Sequence, residues 1–258
     1  MQFVRSVGRS LKLAAVFAYA TLQLVVQRPA AHRQRAEWLH QFCARAVRRM
    51  EIVVRSHGTF PERGVVISNH LGYLDIVAFA ALHQCVFVSK SEIRSWPLLG
   101  WLTTMAGTVY VQRGRGGSAG RAKPGMQAAA DAGIPLVFFP EGTTSLGETV
   151  LPFHSGLLSE AIDAGQPITA AYVRYRITQN NGPNRSLADV CFWDNTLLVK
   201  HIFRMLSLRG IVVELYFAES PIAFSVGSNQ RKLAAQQARA AVLQLRDAAP
   251  PIEVVILA

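Results

Sequence analysis

A histidine and an aspartate separated by four residues constrain the fold of this chain more than any other feature. On one straight helix His70 and Asp75 would lie roughly 140° apart, so their side chains could not meet. The surrounding residues predict a bend instead: residues 64–67 form a short β-branched run typical of a buried strand, Gly72 allows a turn, and residues 75–82 form an apolar helix. From the first turn of that helix, Asp75 can reach back to His70 at the strand's carboxyl end.

The paired side chains predict acid–base chemistry. A neutral imidazole held by a carboxylate is a general base near neutral pH, and the carboxylate stabilises the imidazolium as it forms. Because the sequence beside His70 offers no obvious nucleophile, the base would activate a hydroxyl group carried by a substrate. The alternative is structural, with His70 ending a strand and Asp75 capping a helix.

A second strand end carries polar residues that suit an anionic ligand. Residues 135–139 predict another buried strand, and the loop after it contains Glu141, Gly142, Thr143 and Thr144. Glycine permits close backbone approach, and hydroxyl groups can donate hydrogen bonds to an anion. The alternative is an ordinary helix cap or turn built from threonine and serine.

A third strand, residues 107–113, ends in a cation. Arg113 can bind a phosphate or carboxylate with two parallel hydrogen bonds, although a strand-end arginine is also commonly a solvated surface charge. Open α/β sheets build their sites at the carboxyl ends of their strands, which is where His70 is expected.

The rest of the chain alternates strand and helix patterns, which predicts one α/β domain. We expect a central, mostly parallel or mixed sheet flanked by helices, with an N-terminal helical membrane-binding segment. The further predicted strands are residues 86–88, 167–173 and 211–217, and the further helices are residues 195–208 and 231–246. Residues 96–102 are apolar and aromatic, and they could line an acyl-chain groove or belong to the core.

Together, these motifs resemble those of the glycerolipid acyltransferases, typified by 1-acylglycerol-3-phosphate acyltransferase. The resemblance covers roughly residues 50–220 and rests on the His70-X4-Asp75 pair, the strand ending in Arg113, and the Phe139-Pro140-Glu141-Gly142-Thr143 loop. It implies that His70 deprotonates a lysolipid hydroxyl, which attacks the thioester of acyl-CoA or acyl-acyl-carrier protein. It also implies that the acceptor head group is bound by Arg113, Glu141, Gly142, Thr143 and Thr144. Since the thioester is a substrate, no cofactor and no metal are implied.

Two departures from the family pattern concern the acceptor. The family loop usually has arginine where this chain has Thr144, and the fourth family motif, matched in part by residues 167–173, has a second proline where this chain has Ala170. The first acceptor implied is 1-acylglycerol-3-phosphate, giving phosphatidic acid. The alternative is lyso-ornithine lipid, since the enzymes that acylate it resemble this chain in having a hydroxyl residue at the position of Thr144.

The N-terminal residues predict contact with an anionic membrane surface. Residues 1–63 carry 11 Lys/Arg against 3 Glu, a net +8 of the total +11. Residues 13–26 form an apolar run whose helix would span about 21 Å, short of a ~30 Å bilayer core. A second helix combines arginines, including Arg45, Arg48 and Arg49, with an apolar stripe formed by Trp38, Leu39, Phe42, Cys43, Ala46, Val47 and Met50.

These helices divide the chain into residues 1–50, for membrane association, and residues 51–258, the acyltransferase domain. The expected location is the cytoplasmic face of the cell inner membrane. A signal peptide and a plain core helix are alternative interpretations of the N-terminus. Nucleic-acid binding is disfavoured because the cations are interleaved with an apolar stripe. The scattered cysteines, Cys43, Cys85 and Cys191, fit a reducing compartment and offer no metal-binding spacing.

A glycine-rich segment supports two rival hypotheses. Residues 116–120 fit the Gly-x-Ser-x-Gly pattern of α/β-hydrolases, with Ser118 as nucleophile, which would make the protein a lipase or esterase. However, several loop residues separate Ser118 from the preceding strand, whereas a nucleophile elbow needs its serine directly after the strand. Residues 114–119 also imitate a dinucleotide-binding turn, an interpretation that leaves His70 and Asp75 unexplained.

Overall fold

A seven-stranded sheet forms the centre of the protein in the computed structural model, which describes residues 1–112, 118–194, 196–225 and 230–251. Its strand order is β1-β7-β6-β2-β5-β3-β4, and neighbouring strands are parallel except for the antiparallel pair β6 and β7. The predicted mixed, mostly parallel sheet is therefore confirmed. The strands are β1 (Val53–His57), β2 (Val65–Ile67), β3 (Val86–Lys90), β4 (Val109–Val111), β5 (Leu136–Phe138), β6 (Ile168–Ile177) and β7 (Ile211–Phe217).

Eight α-helices, together with short 3₁₀ turns at Ser91–Ser95 and Leu187–Asp189, complete the described chain. Helices were predicted over residues 75–82 and 231–246, and both are present with small shifts of their ends. The helix predicted over residues 195–208 is present at Leu198–Met205. The sequence did not predict β1 or the helices Leu99–Met105, Ser118–Asp131 and Gly156–Asp163. The helices are α1 (Gln2–Gln27), α2 (His32–Arg49), α3 (Tyr73–Leu82), α4 (Leu99–Met105), α5 (Ser118–Asp131), α6 (Gly156–Asp163), α7 (Leu198–Met205) and α8 (Arg231–Ala248).

Helices cover both faces of the sheet, giving three layers. One core packs α2, α3 and α7 against β7 and the central strands, with Phe79 and Leu215 fully buried. The other core packs α5, α6 and α8 against the opposite face, around Ile67 and Phe138. Because β2 and β5 are buried on both faces, their residues are continuously apolar rather than alternating.

The register of the sheet brings the two polar loops together. Ile67, the last residue of β2, lies beside Phe138 of β5 and Ala170 of β6. His70 and Glu141 each follow three residues after that paired position. The longer strand β6 continues past the end of β2, and its extension contacts the loop that contains His70.

The N-terminal helices differ from the sequence-based expectation in two ways. The first helix is a single 26-residue segment, about 39 Å long, so it starts well before the apolar run and is not too short for a bilayer. Among the described helices, α1 is the one with the length and composition to cross a membrane. It ends at Gln27, and the cap residue Arg28, with φ of 44°, terminates the helix before Pro29.

The expectation that the apolar stripe of α2 faces a membrane is wrong. Cys43, Val47 and Met50 are buried in the core with residues of α3, and Trp38 donates a hydrogen bond to the carbonyl of Ala20 at 3.2 Å, which joins α2 to α1. By packing, α2 therefore belongs with the α/β core. The division of roles at residue 50 remains a prediction.

Candidate active site

His70 and Asp75 meet across the turn between β2 and α3. The imidazole Nδ1 lies 2.8 Å from Asp75 Oδ2, and the His70 side chain is 15% exposed whereas that of Asp75 is fully buried. Since a buried carboxylate accepts hydrogen bonds, Nδ1 carries the proton and Nε2 keeps its lone pair. The pair therefore has the tautomer that a general base requires.

Asp75 is fixed by more than the histidine. Its Oδ2 also accepts from the backbone amides of Leu71 at 2.6 Å and Gly72 at 3.1 Å, which caps the first turn of α3. Its Oδ1 accepts a hydrogen bond from the hydroxyl of Tyr175, on β6. Burial, and then the negative charge of Asp75, raise the pKa of Tyr175, so this hydroxyl stays a donor.

The imidazole is held on its other sides by two neighbouring elements. Its ring stacks on Phe139, with centroids 4.0 Å apart and planes 7° apart. Asn69, the residue before His70, exchanges two hydrogen bonds with the backbone of Val173, at 2.9 and 2.8 Å. The loop after β2 is thus tied to β6, and the base has little freedom to rotate.

The loop after β5 is joined to the base through Glu141. This carboxylate is 3% exposed and accepts from the backbone amides of His70 at 3.1 Å and Leu151 at 2.9 Å. Burial raises the pKa of Glu141 to about 7, although the hydrogen bonds from these two amides lower it. Glu141 therefore holds the backbone of the site, whereas the sequence-based expectation placed it against the acceptor's head group. Gly142 follows it with φ of +71°, a conformation that glycine adopts without strain.

A cavity of about 1000 Å³ opens beside His70. We call the part lined by His70, Gly142, Thr143, Thr144 and His154 its polar end. Ser89, Lys90, Glu92 and Gln112 also line the cavity, and the remaining walls are largely apolar. Those walls come from α1, α2, α3, α4 and α7, through residues that include Phe17, Phe42, Ile76, Leu102 and Ile202. The predicted aromatic segment contributes Trp96 and Leu99 to the wall, which favours the groove interpretation over the core interpretation.

The size and lining of the cavity define its ligand chemistry. Its volume is at the upper end of small-molecule sites, and an apolar enclosure with a few polar groups at one end suits a long hydrocarbon chain with a reactive head. His70 lines the polar end, and the buried Asp75 lies behind it. This arrangement can deprotonate a hydroxyl group at the head of a lipid.

Comparison with known proteins agrees with this chemistry. The family model described as Acyltransferase matches residues 44–174, half of the chain. The chain belongs to the acyltransferase family. The resemblance drawn from its three motifs is therefore confirmed, and the family places the chain with acyltransferases rather than with lipases or esterases.

The acyltransferase is similar to enzymes with two different acceptors. It is 32% identical over 229 residues to a lyso-ornithine lipid O-acyltransferase from Pseudomonas aeruginosa, covering 87% of this chain and 83% of that protein. It is 33% identical over 162 residues to a 1-acyl-sn-glycerol-3-phosphate acyltransferase from Neisseria gonorrhoeae, covering 61% of this chain and 60% of that protein.

A solved structure shares its fold. The crystal structure of the 1-acyl-sn-glycerophosphate acyltransferase PlsC from Thermotoga maritima superposes with a TM-score of 0.58 at 20% sequence identity. The similarity covers 97% of this chain and all of that chain. At this level of identity, the comparison supports the α/β fold of the acyltransferase.

The predicted site residues are brought together in the acyltransferase, as far as the structure describes them. His70, Gly142, Thr143 and Thr144 line one cavity, Asp75 lies behind His70, and Glu141 lies beneath the loop. Arg113 lies outside the described residues, directly after Gln112, which lines the same cavity. Ser118 begins α5, whereas residues 116 and 117 of its glycine pattern lie outside the described residues.

Sequence reasoning missed the contacts that hold the base. Tyr175, Phe139 and Asn69 were not assigned roles, although Phe139 and Asn69 stand next to motif residues. One sequence signal was available for Tyr175. Side chains two residues apart on a strand point to the same face, so Tyr175 shares a face of β6 with Val173. That face could be identified only once β6 was known to extend past the end of β2.

Proposed function

We propose that the enzyme transfers a fatty acyl group from an acyl thioester to the free hydroxyl of a lysolipid. One observation carries the proposal: a His–Asp pair of general-base geometry stands at the polar end of a large apolar cavity. The family assignment and the lysolipid-acylating relatives support the same reaction.

The proposed reaction uses His70 first as a base and then as an acid. Nε2 of His70 takes the proton of the acceptor hydroxyl while the oxygen attacks the thioester carbon. The buried carboxylate of Asp75 stabilises the imidazolium that results. As the tetrahedral intermediate collapses, the carbon–sulfur bond breaks and the leaving thiolate receives the proton from His70. No metal enters this scheme, and unchanged activity in a chelator would agree with it.

The substrates are proposed to occupy the two parts of the cavity. The apolar walls would hold an acyl chain, and Gly142, Thr143, Thr144 and Arg113 would bind the acceptor's head group. Glu141 would hold the backbone of that loop rather than contact the ligand, because both of its oxygens accept hydrogen bonds from backbone amides. The donor is acyl-CoA or acyl-acyl-carrier protein.

The acceptor expected first from the sequence is 1-acylglycerol-3-phosphate. Lyso-ornithine lipid is a second candidate, favoured by two observations. Thr144 lines the cavity where the family usually has an arginine, so the pocket has one formal positive charge fewer. In addition, the similarity to the Pseudomonas enzyme covers 83% of that protein, compared with 60% of the Neisseria enzyme.

The proposed location is the cytoplasmic face of the inner membrane. The length and composition of α1 support membrane association, and its outward residues include Leu11, Leu22 and Val25, all more than half exposed. The three cysteines are buried free thiols, which fits a reducing compartment.

One experiment tests the function directly. Purified enzyme is incubated with labelled acyl-CoA or acyl-acyl-carrier protein and a panel of lysolipids, and the products are identified by mass spectrometry. The proposal predicts a diacylated lipid formed in the presence of an acceptor and lost in His70→Ala. Free fatty acid as the product, independent of any acceptor, would contradict it in favour of hydrolysis.

A further inference from the structure

Four exposed apolar side chains lie on α7 or within five residues before it, and we call them the α7 surface: Trp193, Leu197, Val199 and Phe203. They are 49%, 77%, 79% and 36% exposed. Apart from Val53 and Leu233, the large apolar residues that are strongly exposed in the described chain belong to residues 1–26, to residues 96–101 or to this surface. Since exposed apolar residues on soluble proteins are usually scattered singly, their concentration in these three segments marks an interaction surface.

The helix α7 is apolar on two sides. Its inner side contributes Leu198, Ile202 and Met205 to the wall of the cavity. On that side His201 is also buried, accepting from the hydroxyl of Tyr73 at 3.0 Å and donating to the carbonyl of Cys191 at 2.9 Å. A helix covering a core from water would have a polar outer side. Here the outer side combines the exposed Val199 and Phe203 with the exposed cations Lys200 and Arg204.

The α7 surface continues onto α1. Arg5 donates to the carbonyl of Ser207 at 2.5 Å, and Arg9 donates to those of Leu206 and Leu208. These carbonyls belong to the C-cap residue of α7 and to the two residues after it, and cations are favourable beside the carboxyl end of a helix. The rings of Phe3 and Phe203 also meet, with centroids 5.9 Å apart. The first turns of α1 therefore lie beside α7, and a surface that contacts the outward side of α1 there would also contact α7.

The charges beside the α7 surface complement an anionic layer. Lys200, Arg204 and Arg209 are exposed, although Arg204 also pairs with the buried carboxylate of Asp189. Asp194 is the one exposed acid among the described residues of 190–210. Apolar side chains flanked by lysine and arginine are typical of helices that lie at the surface of an anionic bilayer.

We propose that the α7 surface is a second bilayer contact, beside α1, inserted at the boundary between head groups and acyl chains. The inference rests on the proposed function, because a lysolipid must pass from the bilayer to His70. The wall formed by α7 would then separate the cavity from the lipid phase, with bilayer on its outer side and substrate on its inner side. A second copy of the chain is the competing occupant, which the experiments below distinguish.

A fluorescent label at residue 199 tests insertion directly. The three native cysteines are buried, so a Val199→Cys variant can be labelled selectively with an environment-sensitive dye. The matched control is Val53→Cys, on β1, whose native side chain is 45% exposed and does not line the cavity. With vesicles of phosphatidylglycerol and phosphatidylethanolamine, we expect a blue shift at residue 199 and none at residue 53. No shift at residue 199 in protein that sediments with the vesicles would overturn the proposal.

Charged substitutions test the contribution to binding. Leu197→Asp/Val199→Asp should lower the vesicle partition coefficient roughly tenfold or more, because two apolar contacts are lost. The control Leu233→Asp/Val53→Asp exchanges the same residue types at exposed positions on α8 and β1 and should change partitioning less than twofold. Equal effects of the two pairs would contradict a specific role for α7. Loss of a dimer in light scattering, with vesicle binding unchanged, would assign the surface to a second copy instead.

An assay with short-chain, water-soluble donor and acceptor separates this inference from the proposed function. Leu197 and Val199 do not line the cavity, so the double variant should keep wild-type turnover there. Wild-type enzyme that acylates no lysolipid would refute the proposed function, while the fluorescence at residue 199 would still report on insertion. If the double variant loses soluble turnover through misfolding, the labelled Val199→Cys protein decides the question alone.

Discussion

The hydroxyl of Tyr175 donates a hydrogen bond to Oδ1 of Asp75, although the two residues lie 100 positions apart in the chain. Both side chains are buried, so no water competes for this contact. The carboxylate therefore faces His70 with one oxygen while the other is held from β6. Tyr175 acts through Asp75, and we assign it as a positioning residue.

Replacing Tyr175 by phenylalanine should slow turnover without weakening substrate binding. A buried hydrogen bond to a charged group is worth about 1.5–3 kcal/mol, so we expect kcat to fall about tenfold and the acceptor KM to stay within twofold. The control is Tyr172→Phe, since Tyr172 is also buried on β6 but packs with Val150 and Val242 in a separate cluster. Equal losses of kcat in both variants would indicate a general effect on the sheet.

Removing the base or its partner should abolish most activity. His70→Ala should lower kcat by about 10²–10⁴, because general-base catalysis is lost. Asp75→Asn should also be severe, since the imidazolium loses its carboxylate. As the two residues act as a unit, the double variant should be scarcely slower than the slower single variant. Steady-state kinetics of the three variants provide the measurement, and wild-type rates in His70→Ala would refute the mechanism.

Titration of Glu141 should make the fold less stable as the pH rises towards neutrality. Burial raises its pKa from 4.5 to about 7, so between these values the folded protein binds more protons than the unfolded chain. The free energy of unfolding therefore falls as pH increases through this window, by on the order of 1–3 kcal/mol. Urea unfolding at pH 5, 6 and 7 should show a smaller decrease in Glu141→Gln.

The test for Glu141 compares how steeply the free energy of unfolding changes with pH in the wild type and in Glu141→Gln, and does not compare their stabilities at one pH. Glutamine can accept through one oxygen only, so Glu141→Gln is expected to be less stable at every pH. The control Glu148→Gln, at an exposed position of the same loop, should keep the wild-type slope. A wild-type slope in Glu141→Gln would show that other groups cause the dependence.

Substitution at residue 144 should reveal the acceptor. Thr144 lines the cavity close to the polar end, so Thr144→Arg would place a cation near the head group. If the acceptor is 1-acylglycerol-3-phosphate, the variant should retain or improve its kcat/KM, because phosphate attracts the guanidinium. If the acceptor is lyso-ornithine lipid, repulsion between the new guanidinium and the ammonium group should lower kcat/KM. Equal effects on the two acceptors would mean that residue 144 does not contact the head group.

Two arginines at the end of α2 should contribute to binding of anionic vesicles. Arg48 and Arg49 are exposed, so Arg48→Gln/Arg49→Gln should weaken binding by about 1 kcal/mol per charge at low salt. Arg45 was expected to act with them, but it lies over the ring of Tyr19, 4.4 Å from its centroid, and should contribute less. Vesicle sedimentation provides the measurement, with Arg55→Gln/Arg63→Gln as the control pair of equal charge.

The local parts of the site could be predicted from the sequence. The turn between His70 and Asp75 follows from a β-branched strand, a glycine and an apolar helix that are consecutive in the chain. The loop from Glu141 to Thr144 follows in the same way from the strand before it. Both signals are short-range, since backbone preference and apolar patterning act within a few residues. The parallel sheet then brings the two strand ends together.

The sequence by itself determined which residues form the His70–Asp75 pair and the adjoining polar loop. Tertiary structure decided how they are held and what surrounds them. The contact from Tyr175 exists because β6 extends past the end of β2, and that register depends on pairing between distant segments. The apolar stripe of α2 has the same pattern whether it faces lipid or protein. The hydrophobic effect depends on the apolar area removed from water and not on what covers that area. Only packing against α3 shows that Cys43 and Val47 lie in the core, leaving the outward sides of α1 and α7 exposed.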